Sequence, residues 1–455
     1  MKRNSYFQPM NKFFAVILLF IALTKANGQI PKKVSFNQGY DSIQIHKGDS
    51  LILQLNFQKG NSYQVWVQQS GIDVMLTLTD NKGNKILDKD SPNGSHGFEI
   101  FEYTAPETRP YILIIKKFEQ EGNANSGWIS YYIKKFTPKE SALKEQTKKE
   151  LSIENQKHVL TLDIDHFWEA YDNLKHCKTT WDSILSFQNL YFNRATEGLK
   201  DFISVREWTP EIFVSTISKL NKYYATVRPY TYKAKDAEPL IEEVFSKFKS
   251  MYGNFKPFSV CFGIGFHNTG GTVSNRFVLL GTEMVTAGNN VDFSELDSSW
   301  KPDLSKKEID VPQSIRAIVA HECVHTQQPD QPDSNAVTCN QLYFCLREGA
   351  ANFIGELISG NTNYSRTSKY GEAHEALLWD EFKSTLCNVN AENWLYNGST
   401  SKNRPSDLGY YIGYKICQAY YNNTSDKQQA IKDIIEIKDP LSFLQKSGYD
   451  KQKKK

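Results

Sequence analysis

Ile318-Val319-Ala320-His321-Glu322-Cys323-Val324-His325-Thr326 is the most informative stretch of this 455-residue chain. Two histidines four apart lie on one helical face, one turn from each other, so both imidazoles reach a single tetrahedral ion. A glutamate directly after the first histidine reaches a water on that ion. The flanks predict the helix itself. Asp310 is a suitable N-cap, Pro312 sits in the first turn, and Ile315, Ile318 and Val319 are spaced to bury. Glu322 is the one Asp, Glu, Lys or Arg between Ala317 and Gln328, as a buried site helix requires. Residue frequencies alone produce this pattern in roughly one in a hundred chains of this length. The bland alternative is a helix with two incidental histidines.

A catalytic zinc normally takes three protein ligands and keeps an open position. Downstream, Glu348 begins a face that continues through Ala351, Asn352, Gly355 and Ser359, small or polar and suited to lying against a metal-bearing helix. Phe353, Ile354, Leu357 and Ile358 supply its buried side, and Gly360 is a stop signal. Glu348 is expected to open this second helix. Glu356, eight residues on, is rotated by about 80° and displaced by about 12 Å, so it cannot substitute for Glu348. The face argument favours Glu348, with Glu356, Asp330 and Asp333 as alternatives. The two aspartates read as solvated loop residues and His374 as an exposed helix histidine. Gln331 stands where a metzincin would carry its third histidine.

Outward from this centre the chain divides. Residues 1–28 have a basic start (Lys2, Arg3, Lys12), an apolar run from Phe13 to Leu23 and a small-residue end at Ala26-Asn27-Gly28. This predicts a cleavable export signal, too short to span a bilayer of about 20 residues. The mature protein is therefore expected to be secreted or periplasmic, with no transmembrane segment after cleavage. Residues 30–137 read as β structure: Leu51–Phe57, Tyr63–Val67, Asp73–Leu78 and Tyr111–Ile115 are separated by Gly- and Asn-rich turns, which predicts a sandwich. Residues 138–157 crowd Lys and Glu and predict a solvated helical linker. From 158 to 447 the pattern becomes mainly helical, with a buried stripe at Phe167, Trp168, Tyr171 and Leu174. Phe258–Phe266 and Phe277–Leu280 are strand-like, and Thr269-Gly270-Gly271-Thr272 between them marks a turn. Residues 448–455 form a basic tail, read as a frayed end.

The segment Gly71–Leu78, with the turns Asp80–Gly83 and Asp90–Gly94, resembles the prepeptidase C-terminal-type domain over residues 38 to 136. That implies a jelly-roll-like accessory module, one that contacts a surface ligand or the substrate. Its acidic turns read as turn chemistry rather than calcium sites. Four further motifs occur in order: Gly270–Ser274 leading to Leu280–Met284, then His321–His325, Glu348–Ala351 and Gly409–Ile416. Over residues 160 to 425 they resemble a family of predicted zinc-dependent proteases of gluzincin type, related to gliding-motility-associated proteins. The resemblance implies an α+β, mainly helical zincin-like metallopeptidase domain with Zn²⁺ as cofactor. It also implies that Glu348 is the third ligand beside His321 and His325, and that Phe277–Leu280 edges the substrate cleft. Gluzincins often use a tyrosine or histidine as a neutral oxyanion donor. Tyr410 is the candidate here: it shares a helical face with Tyr414, while Tyr411 is about 100° away. No Gly-x-Met-x-Asn element accompanies these motifs, which disfavours a typical M1-like aminopeptidase.

Composition limits the remaining classes. The chain is 40% hydrophobic and 23% charged, with 54 basic and 51 acidic residues. Removing the four basic residues of 1–28 leaves 50 against 51, so nucleic acid has no electrostatic footprint to meet. The seven cysteines include no Cys-x-x-Cys pair, and an odd number leaves at least one thiol without an intrachain partner. No Gly-x-Ser-x-Gly elbow or phosphate-cradling loop is present. The expected function is hydrolysis of a peptide or protein substrate by a zinc-activated water, with Glu322 as base. The alternative is a non-catalytic zinc-containing surface binding or assembly component.

Overall fold

A computed structural model describes residues 30–38, 41–119, 125–296, 309–329, 339–360, 365–398, 400–401 and 403–452. The export signal, Asp330, Asp333 and Lys453 to Lys455 lie outside the described residues. The chain splits into two compact units, Met1–Lys149 and Glu150–Lys455.

Among the described residues of the first unit, nine strands form two sheets. They are β1 (Lys32–Lys33), β2 (Asp41–His46), β3 (Ser50–Phe57), β4 (Ser62–Ser70), β5 (Val74–Asp80), β6 (Lys85–Lys89), β7 (His96–Thr104), β8 (Arg109–Lys117) and β9 (Ser126–Lys135). One sheet has the order β1-β3-β8-β5-β6 and the other β2-β9-β4-β7, antiparallel except for β1 on β3. Period-two burial explains the sandwich. Val74, Leu76 and Leu78 of β5 and Leu113 and Ile115 of β8 share one core with Val65 and Val67 of β4 and Ile129 and Ile133 of β9. The acidic turn after β5 is held internally. The Asp80 carboxylate accepts from the backbone N–H groups of Lys82 and Asn84 and from the Asn84 side chain, at 2.8 to 2.9 Å. Burial opposes ionisation there, but these bonds outweigh it and lower the Asp80 pKa. A helix follows at Pro138–Glu154.

The second unit surrounds a small sheet with helices. Its strands are β10 (Val159–Leu160), β11 (Ser259–Gly263), β12 (Gly271–Val273) and β13 (Phe277–Gly281), in the order β10-β11-β13-β12. The first three in that order run parallel, and β12 pairs antiparallel with β13. Two strand expectations are corrected here. The glycines Gly270 and Gly271 do not mark a simple turn, because Gly271 begins a strand. Phe277–Leu280 does not edge a cleft, because β13 is an inner strand, buried throughout, and β12 is the sheet edge. An all-apolar run suits the inner position, where both faces are covered.

Three helices carry the last three motifs, while the first lies on β12 and β13. The motif helix is Val311–His325, the glutamate helix Asn340–Ser359 and the tyrosine helix Leu408–Asn423. Asp310 caps the first by accepting from Gln313 N at 3.2 Å, and proline occupies its opening turn. The glutamate helix starts eight residues before Glu348 rather than at it. Leu342, Cys345 and Leu346 extend its buried face backward at helical spacing. Cys339 at its N-cap is disulfide-bonded to Cys387, while Cys177, Cys261, Cys323, Cys345 and Cys417 are free. The expected frayed end is also revised. Tyr449–Gln452 is helical and Tyr449 is buried, its hydroxyl on Glu375 at 2.8 Å.

The glutamate and tyrosine helices cross almost backbone to backbone. A Cβ on Gly413 would lie 1.8 Å from the Cys345 carbonyl oxygen, and one on Gly349 would lie 2.0 Å from the Gly413 carbonyl carbon. Only paired glycines permit that approach. The same economy appears at Gly355, where a Cβ would sit 3.0 Å from the His321 amide nitrogen. The small face of the glutamate helix therefore brings both neighbouring helices to one point.

Candidate metal centre

At that point His321, His325 and Glu348 converge. Their Nε2 atoms are 3.3 Å apart, and Glu348 Oε2 lies 3.6 Å from the first and 3.3 Å from the second. Among the described residues, this is the cluster of three such side chains able to share a metal ion. Two donors on a tetrahedral ion with bonds of about 2.0–2.1 Å lie about 3.3–3.4 Å apart, so this triangle has the dimensions of one face of a zinc tetrahedron. Both Nδ1 atoms are already engaged. That of His321 meets Asn352 Oδ1 at 2.8 Å, and that of His325 meets Gln328 Oε1 at 2.8 Å. An Nδ1–H donated to an amide oxygen leaves Nε2 with a lone pair facing the metal. The Gln328 amide nitrogen donates to the Arg347 carbonyl at 2.9 Å, so each histidine is braced from the glutamate helix.

The electrostatics favour a cation. Burial alone would raise the Glu348 pKa, but the neighbouring His325 and His321 hold its carboxyl well below the usual range. Burial likewise opposes a charge on His325, and Glu348 outweighs it, pushing that imidazole up to about 9. Glu348 thus sets a negative charge against both imidazoles, a place that a proton or a metal cation can occupy.

Glu322 projects from the same helix toward β12. A Cβ on Gly271 would fall 2.4 Å from its Oε1 and 2.9 Å from its Cδ. The glycine read as a turn signal is therefore a clearance: it lets the sheet edge approach the carboxylate. Gly271→Ala is expected to keep zinc content and fold, because the displaced group is the end of a flexible side chain. It should move the Glu322 carboxylate off the sheet edge while the neighbouring backbone holds, and an unchanged zinc content and melting temperature in the variant check that only this side chain has shifted.

Of the tyrosines, Tyr410 stacks near the His321 ring, with centroids 6.2 Å apart. Burial, with Glu348 adding to it, raises its pKa well above the ordinary value, so the phenol stays protonated. Tyr414 packs against Phe353 farther along the helix, and Tyr411 is buried against Gly371. Glu356 is not in the cluster, and His374 is exposed with Nδ1 on the Tyr370 carbonyl. The residue that sequence reasoning missed is Tyr396. Its hydroxyl donates to Glu348 Oε1 at 2.6 Å from a loop with no periodicity to betray it.

Three solved structures show the extent of likeness to known proteins. The pre-peptidase C-terminal domain of a collagenase from Bacillus anthracis aligns at 15% identity, over 23% of this chain and 96% of that one, with a TM-score of 0.20. PliG of Aeromonas hydrophila, a periplasmic inhibitor of g-type lysozyme, aligns at 10% identity over 23% and 96%, with a TM-score of 0.19. The IMPa metallopeptidase in complex with T-antigen aligns at 8% identity over 91% of this chain and 44% of that one, with a TM-score of 0.18. Scores this low decide nothing about fold or function. No curated protein matches. The family comparison is more specific: residues 304–437, which span the motif, glutamate and tyrosine helices, match the family described as predicted Zn-dependent protease (DUF2268).

Proposed function

We propose that the chain is an exported zinc peptidase in which His321, His325 and Glu348 hold the metal and Glu322 is the general base. The observation behind this reading is the 3.3–3.6 Å triangle of donor atoms, with Glu322 on the same helix. Zinc, when bound, supplies a Lewis acid and lowers the pKa of a water toward about 7. Glu322 takes the proton of the attacking water and delivers it to the leaving amine. The protonated Tyr410 hydroxyl donates to the substrate carbonyl oxygen as charge develops there. An extended substrate adds to β12, the edge strand of the sheet among the described residues, its backbone pairing beside Glu322. Phe277–Leu280 does not fill that role, since it lies one strand inward.

Two observations support export. The basic and apolar start of the chain has the pattern of a cleaved signal. The Cys339–Cys387 disulfide suits an oxidising compartment. Among the described residues no helix is long and apolar enough to cross a membrane. On this reading the β-sandwich contacts a surface ligand or the substrate, and Trp128, 52% exposed on β9, is available for such contact.

The test is a metal assay on purified mature protein combined with digestion of a peptide library. Bound zinc, with cleavage that stops on chelation, is the expected result. Zinc without cleavage would point to a non-catalytic surface component, and absence of zinc uptake would remove the reading altogether.

A further inference from the structure

We infer that Tyr396 is a positioning residue for the metal site: its hydroxyl occupies one oxygen of Glu348 so that a single oxygen faces the ion. The inference rests on the zinc reading above and deepens it. The two carboxylate oxygens have divided duties. Oε1 accepts from the Tyr396 hydroxyl at 2.6 Å, while Oε2 lies 3.3 and 3.6 Å from the histidine nitrogens. A carboxylate bound at one oxygen by a phenol offers the metal the other oxygen, which keeps the ligand count low and a position open for chemistry.

Packing does not account for this tyrosine. The residue is 74% exposed, so its ring buries little apolar surface. Its backbone has φ +56°, in the left-handed region that bulky side chains seldom adopt. Such a conformation persists only where the surroundings over-determine it, and here they do. Trp394 and Leu395 just before it are buried, and the Gly409 amide donates to the Trp394 carbonyl at 2.8 Å. On the other side, the Asn397 side chain donates to the Asn393 carbonyl at 2.9 Å and accepts from the Asp407 amide at 2.8 Å. The loop thus holds an exposed ring in a costly conformation, and its hydroxyl meets Glu348 Oε1 at 2.6 Å and the Tyr410 side chain beside it. Tyr410, on the tyrosine helix, stands beside it with ring centroids 6.5 Å apart.

The experiment uses the full mature chain with Tyr396→Phe and Tyr396→Gly. Phenylalanine keeps the ring and removes the hydroxyl, while glycine removes both and relieves the left-handed backbone. Zinc affinity is measured by competition with a chromophoric chelator, and coordination by the visible absorption of the cobalt(II)-substituted protein. Both variants should bind zinc about 10- to 100-fold more weakly. Both should show weaker cobalt absorption, as Glu348 becomes free to bind through two oxygens and raise the coordination number. The metal-free melting temperature should hold in the phenylalanine variant and hold or rise in the glycine variant, which separates this role from a structural one. Wild-type affinity together with a wild-type cobalt spectrum in Tyr396→Phe would overturn the inference. Failure of the unaltered protein to bind zinc would instead sink the reading on which it rests.

Discussion

Replacing Glu322 with glutamine is expected to leave zinc content and melting temperature unchanged while lowering peptide hydrolysis by about 10²–10⁴. Glu322 is not one of the three converging donors, so the metal does not depend on it. Glutamine has the same shape and fits the clearance that Gly271 leaves, so the edge strand stays in place. What it lacks is a carboxylate able to take a proton from water. The loss corresponds to about 3–5 kcal/mol of barrier. Turnover of a fluorogenic peptide, measured beside metal content, decides the matter; a glutamine variant that cleaves at the wild-type rate would remove Glu322 as the base.

Replacing Glu348 with alanine should have the opposite signature, with zinc lost before chemistry is reached. The change removes both the third donor atom and the negative charge that stabilises a cation beside His325. The expected readout is a fall in bound zinc and the disappearance of zinc-dependent thermal stabilisation. At a zinc concentration about 1,000 times the dissociation constant, that stabilisation amounts to about 4 kcal/mol in the intact site. His321→Ala and His325→Ala should behave alike. If Glu348→Ala kept full zinc content, the third ligand would have to be sought at Glu356, Asp330 or Asp333.

The centre was legible from sequence to the extent that helical periodicity encodes it. His321 and His325 are one turn apart and need no tertiary information to share a face. Glu348 could be singled out because Ala351, Asn352 and Gly355 mark a face small enough for a neighbouring helix, and Gly355 does lie against the His321 backbone. Periodicity has no hold on loops, and there the reading missed Tyr396. Gly270-Gly271 was ambiguous for a different reason. Glycine signals either a turn or a close approach, and only the position of Glu322 distinguishes them. Similarly, Phe277–Leu280 read as a strand, but its neighbours, and hence its inner place, follow from long-range pairing. Pairing of Cys339 with Cys387 across 48 residues was equally invisible in a count of seven thiols.

The amide braces on the two imidazoles have a consequence for the metal-free chain. Asn352 and Gln328 fix the ring orientations through bonds among protein groups alone, and Gln328 is itself tied to the Arg347 backbone. The two rings are thus oriented by the fold's own hydrogen bonds and not by an ion alone, unlike in zinc fingers, whose chains collapse only around the metal. Chelation is therefore expected to leave the far-ultraviolet circular dichroism of the chain unchanged, and a loss of helical signal on chelation would show that the ion itself does the ordering.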